Sequence, residues 1–415
     1  MEKEYISTDN IRHQLANLKQ LTFEVTDACN LQCKYCAYGE FYNDYDKREN
    51  KQLSISAAVN LIDYLVAIWN SEQNVSSNQN VFISFYGGEP LLNMRFIKAI
   101  VHYVENLQCP RRAFTFSMTT NAILLERNMD YLVQHGFNLL ISLDGNEYNT
   151  SYRIKKFGKP AYSDIIKNVN ALREKYPDFF EQKVDFNAVL HNRNSVGDIY
   201  DFFKNQYNKT PSIGELNNVG IRPDKVVLFR KTYRNSQESL HQSENYEKIE
   251  QDMFMKSGTY QTVTTFIHQY SNFVFRNYTD LLLGKPKKAI PTGTCFPFGK
   301  KMFVTVSGKI LPCERIGQQF ALGKTTIKTG VELDIEAIAS HYNNYYRKLE
   351  QQCSKCYLSD ACIQCIFNLY DLEGTPICHG FTNEQAFEKY KARQLDFLRK
   401  HPEEYYRLME EVIIR

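Results

Sequence analysis

The 415-residue chain has little net charge and no long apolar run. Its formal net charge is +3, so nothing in the overall balance points to nucleic acid or to an anionic membrane as a partner. The longest apolar runs, such as NLLISL at 138–143, are much shorter than the roughly 20 residues that span a bilayer. The N-terminal segment is polar and charged and lacks the apolar core of a signal peptide. The sequence therefore predicts a protein of the cytoplasm, where thiols stay reduced.

Cysteine, by contrast, is abundant. There are eleven cysteines, which in a reducing compartment are better explained by metal binding than by disulfides. Three of them, Cys29, Cys33 and Cys36, stand close together in the segment CNLQCKYC, which we call the cysteine loop. A 4Fe–4S cluster normally takes four thiolates, so three would leave one iron open to a small molecule. The alternative is a zinc knuckle or a set of buried thiols, although zinc sites usually pair C-x2-C with a second such pair elsewhere.

Short apolar runs rich in β-branched and aromatic residues alternate with amphipathic stretches. The runs predict six strands, at 20–26, 81–86, 113–118, 138–143, 183–190 and 225–229. Helical spacing occurs at 54–69, 94–107, 127–136 and 162–176. Ser54 and Ser163 are predicted N-caps, and Gly136 a predicted C-cap. Repeated βα units predict an α/β fold with a parallel sheet, which we expect to be a partial (β/α)6 barrel of the TIM type.

The cysteine loop follows the first predicted strand, and such folds carry their chemistry at the carboxyl ends of the strands. We expect the barrel to cover residues 1–235 and a helical bridge to cover 236–290. A cysteine-dense domain, which needs metal to fold, is expected over 291–381. Two charged amphipathic helices are expected over 382–415.

The C-x3-C-x2-C spacing after the first strand resembles the radical S-adenosylmethionine (radical SAM) superfamily. The resemblance implies that the three cysteines hold a 4Fe–4S cluster whose open iron binds the amino and carboxylate groups of SAM. It implies that the reduced cluster passes one electron to the SAM sulfonium, and that the resulting 5′-deoxyadenosyl radical takes a hydrogen atom from the substrate. A reductant such as flavodoxin or ferredoxin would supply the electron.

Further motifs match cofactor-binding positions of this superfamily. Tyr35 matches the aromatic residue whose ring lies against adenine, and Tyr38 matches another aromatic near the cofactor. The segment YGGEP matches the GGEP motif and implies four contacts to the cofactor: Gly87, Gly88, Glu89 and Pro90. The two glycines would let the backbone approach a ligand, and Glu89 would hold the methionine amino group.

Three later segments complete the implied SAM site. TTNA at 119–122 resembles the TNG motif near the ribose, with Asn121 kept and Ala122 in place of glycine. SLDG at 142–145 matches the fourth strand, where Ser142 and Asp144 would face the cofactor. Arg153 fits a downstream arginine that would pair with the SAM carboxylate, or else is a surface arginine.

The cysteines of the second half resemble the SPASM domain, a C-terminal extension of radical SAM enzymes with two auxiliary 4Fe–4S clusters. The resemblance assigns one cluster to Cys353, Cys356, Cys362 and Cys378. It assigns the other to Cys295, Cys313 and Cys365, with an open or non-cysteine fourth ligand, which makes three clusters in all. The spacing between Cys362 and Cys365 departs from the SPASM pattern by one residue. A zinc ribbon is the alternative for the C-x2-C pairs, and Cys109 is expected to be a structural thiol.

SPASM enzymes mostly modify proteins or ribosomally made peptides, so the resemblance implies a polypeptide substrate. The leading hypothesis is a maturase of a precursor peptide, of a subgroup that serves double-glycine leaders. We expect leader binding to use the barrel, the bridge or the tail, since little chain precedes the first strand.

Two other functions stay open. A sulfatase maturase would form formylglycine, and in that class an Asp base follows the first auxiliary-cluster cysteine. Here Glu314 follows Cys313 and is the candidate base; alternatively it binds nearby backbone or pairs with Arg315. A non-catalytic iron–sulfur scaffold or sensor, from a different class, would predict disrupted cofactor motifs.

Overall fold

The computed structural model describes residues 3–43, 45–76, 79–271, 274, 278–283 and 290–409. The chain divides into two compact units. The larger comprises Asp9–Ile249 and Phe296–Ile335, and the smaller comprises Met1–Thr8, Glu250–Cys295 and Glu336–Arg415. The four domain limits expected from the sequence remain a prediction.

The larger unit contains a ten-stranded sheet, as far as the described residues go. Its strands in chain order are β1 (Gln20–Thr26), β2 (Asn80–Gly87), β3 (Ala113–Thr120), β4 (Asn138–Ser142), β5 (Val184–Leu190), β6 (Ser212–Glu215), β7 (Met302–Val304), β8 (Lys309–Leu311), β9 (Gly323–Thr326) and β10 (Gly330–Glu332). The spatial order is β10-β9-β8-β7-β1-β2-β3-β4-β5-β6. Strands β1 to β6 are parallel and follow chain order, which confirms the predicted α/β fold with a partial barrel.

The short strands after residue 300 extend this sheet. Strand β7 pairs in parallel with β1, matching Leu21 to Met302. Strands β8, β9 and β10 then add on as antiparallel hairpin partners. The segment that follows Cys295 therefore lies beside the first barrel strand, from which the cysteine loop emerges.

Helices supply the crossovers that parallel strands require. In the larger unit they are α1 (Thr8–Ala16), α2 (Ile55–Trp69), α3 (Met94–Glu105), α4 (Leu125–Gln134), α5 (Tyr162–Lys175), α6 (Pro177–Lys183), α7 (Val196–Tyr207), α8 (Val226–Thr232) and α9 (Ser236–His241). Their inner faces are apolar, as in α2, where Leu61, Leu65 and Trp69 are buried.

The predicted strand at 225–229 is wrong, because this segment belongs to helix α8. Phe229 and Thr232 are buried, whereas Val227 and Leu228 are 68% and 43% exposed. Burial three residues apart is the pattern of one helix face. The sixth strand is β6, whose sequence SIGE is too short and too polar to show a strand pattern.

The predicted helix caps are confirmed in two of three cases. Ser54 accepts a hydrogen bond from a first-turn amide of α2. Gly136 has φ +62° just after α4, a left-handed conformation that glycine adopts without strain. The prediction for Ser163 is wrong, since it lies inside α5. The Ile165 amide donates to the Ala161 carbonyl, so the helix begins earlier.

The smaller unit is mainly helical where it is described. Its helices are α10 (Tyr246–Met253, which starts in the larger unit), α11 (Gly258–Tyr270), α12 (Tyr278–Leu283), α13 (Ile335–Cys353), α14 (Glu384–Lys400) and α15 (Pro402–Leu408). Phe254, Phe266, Phe387 and Tyr390 form the centre of its apolar core. The expected C-terminal helices are confirmed, with residues 410–415 outside the described residues, whereas the helical bridge over 236–290 stays a prediction. Among the described helices, none has the length and apolar character needed to cross a membrane.

Candidate cofactor site

The cysteine loop leaves the carboxyl end of β1 and is held from two sides. On one side the GGEP segment contacts it, because the Glu89 amide donates to the Ala28 carbonyl at 2.9 Å. On the other side the Gln32 amide donates to the Ile154 carbonyl at 2.7 Å. The loop is therefore anchored by backbone hydrogen bonds to segments that follow β2 and β4.

Gly87 and Gly88 make the first of these contacts possible. A Cβ atom on Gly87 would lie 2.3 Å from the Thr26 carbonyl oxygen, and one on Gly88 would lie 2.0 Å from that of Ala28. Gly87 also has φ +135°. The close approach that the motif allows is thus to the chain's own backbone, and contact of the glycines with a ligand stays a prediction. Pro90 is buried at the start of a 3-10 helix.

The three thiols of the cysteine loop lie within electrostatic reach of one another. The pKa of Cys33 is raised to about 12, mainly by burial and partly by the neighbouring Cys36 and Cys29, while Arg153 acts against the rise. Burial likewise raises the pKa of Cys29 to about 11, with Cys36 a smaller contributor. Three half-buried thiolates this close together need cationic partners, which iron ions would supply.

No three His, Cys, Asp or Glu side chains in the described part of the chain are arranged to hold a single metal ion. A 4Fe–4S cluster does not require such convergence, because each of its irons takes one thiolate. Cys109, expected to be a structural thiol, is buried.

N–H groups donate to the sulfur atoms of Cys29 and Cys36, and hydrogen bonds of this kind tune the potential of iron–sulfur clusters. Cys29 Sγ accepts from the Leu31 amide at 3.4 Å and from Asn121 Nδ2 at 3.8 Å. Cys36 Sγ accepts from Arg48 Nη2 at 3.5 Å. Such donors stabilise thiolate, so the residues present fit the cluster that the sequence implies.

Arg48 was missed by sequence reasoning, and it connects Cys36 to Tyr38. Its guanidinium carbon lies 4.2 Å from the centre of the Tyr38 ring, a cation–π contact. Its buried Nε has no hydrogen-bond partner among the described residues. The Tyr38 hydroxyl donates to Glu24 Oε1 at 2.7 Å, and burial raises the pKa of Glu24. Protein groups thus hold Tyr38 beside the cysteine loop, and its contact with the cofactor stays a prediction.

Asp144 and Arg153 form a buried ion pair after β4. Arg153 Nε and Nη2 donate to the two carboxylate oxygens at 2.9 and 2.8 Å, and the Val189 amide donates to Oδ1 at 3.0 Å. Burial alone would raise the pKa of Asp144, but the Arg153 charge and hydrogen bonds from His191 and Arg153 lower it to about 2. The Tyr35 hydroxyl also donates to Asp144 Oδ2.

Tyr35 is packed among side chains of the same group. Its ring is stacked on that of His191 with centroids 5.5 Å apart, and the Arg153 guanidinium lies 5.5 Å from its centroid. His191 is fully buried and was not singled out from the sequence. In this arrangement Arg153 is paired with Asp144, so its role toward SAM, like that of Tyr35, stays a prediction.

Glu89 joins the ends of β2 and β3. Its Oε1 accepts from Thr120 Oγ1 at 2.7 Å and from the Leu91 amide at 3.1 Å, and its Oε2 accepts from the Asn121 amide at 2.8 Å. Burial raises its pKa to about 7 against these hydrogen bonds. The Asn121 side chain donates to Asn30 Oδ1 at 2.8 Å, inside the cysteine loop. Glu89 and Asn121 therefore belong to one hydrogen-bonded group.

The departure from glycine at Ala122 has a structural consequence. Ala122 is buried with φ +62°, a left-handed conformation in which a Cβ costs about 1–2 kcal/mol. The backbone thus keeps the conformation that glycine would take at this position. Ser142 ends β4 opposite Asn187 of β5, at the carboxyl edge of the sheet.

Glu314 is paired with Lys301, which the sequence analysis did not consider. Lys301 Nζ lies 3.0 Å from both carboxylate oxygens, whereas Arg315 Nε is 4.0 Å away. Burial would raise the pKa of Glu314, but Lys301 outweighs it and the pKa is lowered. The β7–β8 register opposes Phe303 and Leu311, which brings Lys301 across from the end of β8. A hairpin signal in KMFVTVSGKILPCE could have revealed this pair.

Tyr86 lies close enough to both Glu314 and the cysteine loop for their charges to affect its pKa. Burial raises the pKa of Tyr86 above its ordinary value, and the charges of Glu314 and Cys36 raise it further. Both groups are therefore within electrostatic reach of one tyrosine in the larger unit.

In the smaller unit the cysteines of the predicted four-ligand set come together. Burial raises the pKa of Cys378, and Cys362 and Cys356 raise it further. The Thr382 amide donates to Cys356 Sγ at 3.4 Å. The Cys356 amide donates to the Cys353 carbonyl at 3.1 Å, in a turn at the end of α13. These cysteines fit a second cluster for the same two reasons as the cysteine loop: the thiols lie near one another, and an amide donates to a sulfur atom.

Two cysteines of the remaining set are neighbours. Burial raises the pKa of Cys365, and Cys295 raises it further. Their loops touch at Gly293, where a Cβ would lie 2.3 Å from the Ile363 backbone. Cys313, the third member, belongs to the larger unit.

A parallel α/β sheet with a three-cysteine loop after its first strand defines the class of protein. Residues 23–203 match the Radical SAM superfamily. The chain therefore contains a radical SAM domain, and this domain is typical of enzymes that use a 4Fe–4S cluster and SAM.

Among similar proteins is the radical SAM cyclopropyl synthase TigE of Paramaledivibacter caminithermalis, 26% identical over 222 residues, 52% of this chain and 43% of that protein. A cysteine-type anaerobic sulfatase-maturating enzyme of Clostridium novyi is 22% identical over 371 residues, 84% of this chain and 87% of that one. The chain spans only 49% and 43% of the first relatives it matches.

The fold is similar to that of native anSMEcpe with bound AdoMet and Cp18Cys peptide, at a TM-score of 0.60 and 16% identity. The similarity covers 95% of this chain and 98% of that one, and at this identity it concerns the fold alone.

Proposed function

We propose that the chain is a radical SAM peptide maturase that modifies a ribosomally made precursor peptide in the cytoplasm. The observation that carries the proposal is the second cysteine group, Cys356, Cys362 and Cys378, brought together outside the sheet in addition to the cysteine loop. Support for a peptide substrate comes from the neighbour of similar fold that holds a peptide together with AdoMet.

In this proposal the cysteine loop holds the SAM-binding cluster through its three thiolates. When bound, the reduced cluster and SAM supply a 5′-deoxyadenosyl radical that takes a hydrogen atom from the peptide. Arg48 donates a hydrogen bond to Cys36 Sγ and places a positive charge beside that thiolate. The residues that we propose to contact SAM include Glu89, Asn121, Ser142, Asp144 and Arg153.

Glu314 is the proposed base. Its carboxylate, kept ionised by Lys301, would accept at an Oε atom the proton released when the substrate is oxidised. Two auxiliary clusters would take up the electron. One would be held by Cys353, Cys356, Cys362 and Cys378, and the other by Cys295, Cys313 and Cys365.

A sulfatase-maturase activity is the second candidate. It is favoured by the sulfatase-maturating relative from Clostridium novyi, whose similarity covers 84% of this chain. The base would then be Glu314 in place of the Asp of that class. A carboxylate in this position serves either reaction, so the substrate has to be tested directly.

The experiment uses anaerobically reconstituted protein with SAM and dithionite. Candidate peptides are a short peptide with a Gly-Gly motif encoded beside this gene and a sulfatase-derived peptide containing the target Cys or Ser. We expect 5′-deoxyadenosine and a changed mass in the Gly-Gly peptide. Formylglycine in the sulfatase peptide alone would replace the proposal by the second candidate. Absence of 5′-deoxyadenosine from cluster-loaded protein would favour a scaffold or sensor.

A further inference from the structure

A tight turn after β4 lies directly against the cysteine loop. We call Lys155–Lys159 the lysine turn. The chain entering it is hydrogen-bonded to the loop, since the Gln32 amide donates to the Ile154 carbonyl at 2.7 Å. The Lys34 amide donates to the Tyr152 carbonyl at 3.2 Å. The turn and the predicted cluster ligands thus form one backbone-connected structure.

At the tip of the lysine turn an aromatic residue is fully exposed and has an unfavourable backbone conformation. Phe157 is 98% exposed and has φ +65°. A left-handed conformation is a true outlier for a bulky residue and costs about 1–2 kcal/mol. Exposure also forfeits the roughly 1.5–3 kcal/mol that burying a phenylalanine contributes. Folding gains nothing from this arrangement, which makes it a candidate for contact with another molecule.

The charge around Phe157 is positive. Lys156 and Lys159 are exposed, and neither has an acidic partner among the described residues. Lys155 is paired with Asp164 at 2.5 Å. The two unpaired ammonium groups on either side of the exposed Phe157 ring would therefore attract an acidic surface.

A cavity continues this surface to the cysteine loop. It has a volume of about 390 Å³. Its lining includes Cys29 and Asn30 of the loop together with Lys155, Lys156 and Lys159 of the lysine turn. A molecule bound to the lysine turn would therefore lie next to Cys29, a predicted cluster ligand.

We propose that the lysine turn is the docking surface for an acidic one-electron donor protein, namely a flavodoxin. This inference rests on the proposed function, which requires an outside electron. The reduced flavin would lose one electron to the cluster that Cys29, Cys33 and Cys36 would hold, and no atom would be transferred. An electron donor fits this surface better than an acidic substrate peptide does, because the chain that enters the lysine turn is hydrogen-bonded to the cysteine loop itself. Small, electrostatically steered contacts are also typical of redox encounters.

The test measures reduction of the cluster by reduced flavodoxin in stopped flow, followed by the loss of cluster absorbance. Electrostatic steering raises association rates by roughly 10–10³-fold, so Lys156→Glu/Lys159→Glu should lower the second-order rate constant by at least about 10-fold. Raising the salt concentration should slow the unaltered protein likewise. The control variant Lys231→Glu/Lys248→Glu makes the same change in net charge on α8 and α10, and should react like the unaltered protein. Phe157→Gly should weaken flavodoxin binding without lowering the melting temperature.

Dithionite and a peptide assay separate the outcomes. All variants should be reduced by dithionite, and should then cleave SAM, at the rate of the unaltered protein. An unchanged rate with flavodoxin in Lys156→Glu/Lys159→Glu would overturn the proposal. If Lys156→Glu/Lys159→Glu is reduced by flavodoxin at the unaltered rate but binds the precursor peptide more weakly, the lysine turn contacts the peptide and the docking proposal is overturned. If no protein cleaves SAM even with dithionite, the proposed function fails, while calorimetric titration with oxidised flavodoxin still decides the docking.

Discussion

Replacing Glu314 by glutamine should slow product formation by roughly 10²–10⁴-fold, the usual contribution of a general base. The side chain is only 18% exposed and is held by Lys301 at 3.0 Å. The lowered pKa keeps it a carboxylate near neutral pH, ready to accept a proton. Glutamine preserves the shape and removes the basicity, so the change isolates proton acceptance.

The magnitude can be separated from any effect on folding. At about 1.36 kcal/mol per tenfold, the expected loss is about 2.7–5.4 kcal/mol of transition-state stabilisation. The Lys301 side chain is 25% exposed, and a partly exposed ion pair contributes at most about 1 kcal/mol to stability. The glutamine carbonyl can still accept from Lys301. Iron content and melting temperature should therefore change little.

Arg315 offers a matched control. Its side chain is 87% exposed and its Nε lies 4.0 Å from the carboxylate, so Arg315→Met should leave turnover nearly unchanged. The assay quantifies 5′-deoxyadenosine and modified peptide by mass spectrometry in the same reactions. We expect Glu314→Gln to keep SAM cleavage and to lose the modified peptide. Normal turnover in Glu314→Gln with full iron loading would remove this residue from the mechanism.

Three further predictions concern the cofactor site. Replacing all three cysteines of the cysteine loop by alanine should remove about a third of the iron and abolish 5′-deoxyadenosine formation, and retained SAM cleavage would refute the cluster assignment. Arg153→Met should lower the free energy of unfolding by about 3–5 kcal/mol at pH 7 in anaerobic urea titrations, because it leaves Asp144 buried and unpaired. Since the pKa of Asp144 is lowered from 3.8 to about 2, the pair stabilises the fold above about pH 4 and this contribution is lost toward pH 2; an unchanged midpoint at pH 7 would contradict the argument. Ala122→Gly should raise stability by up to about 1 kcal/mol in the same titration by relieving the left-handed Cβ, with SAM affinity unchanged, and a clear loss of stability would count against the strain.

Local sequence patterns were sufficient for most of the sheet and for the cysteine loop. Strands β1 to β5 were predicted because each is an apolar run bounded by turn residues. The cluster ligands were predicted because cysteines this close along a reduced chain have few other uses. The sixth strand was missed because SIGE carries no alternating pattern, while the apolar run nearby forms a helix face.

Other features depend on which segments the sheet places side by side. Arg48 reaches Cys36 because the chain returns after the cysteine loop, and no spacing rule predicts that contact. His191 meets Tyr35 because β5 ends beside the loop that follows β4. Long-range contacts of this kind follow from strand order and register, which local propensity does not encode.

The sequence by itself predicted the chemistry of the cofactor site, since ligand type and spacing are local properties of the chain. Only the tertiary structure decided how the surrounding charges are paired. It joined Arg153 to Asp144 and Lys301 to Glu314, because burial makes an unpaired charge costly and selects the partner that the fold brings within reach. It also left Lys156 and Lys159 uncompensated at the surface, where water solvates them at little cost.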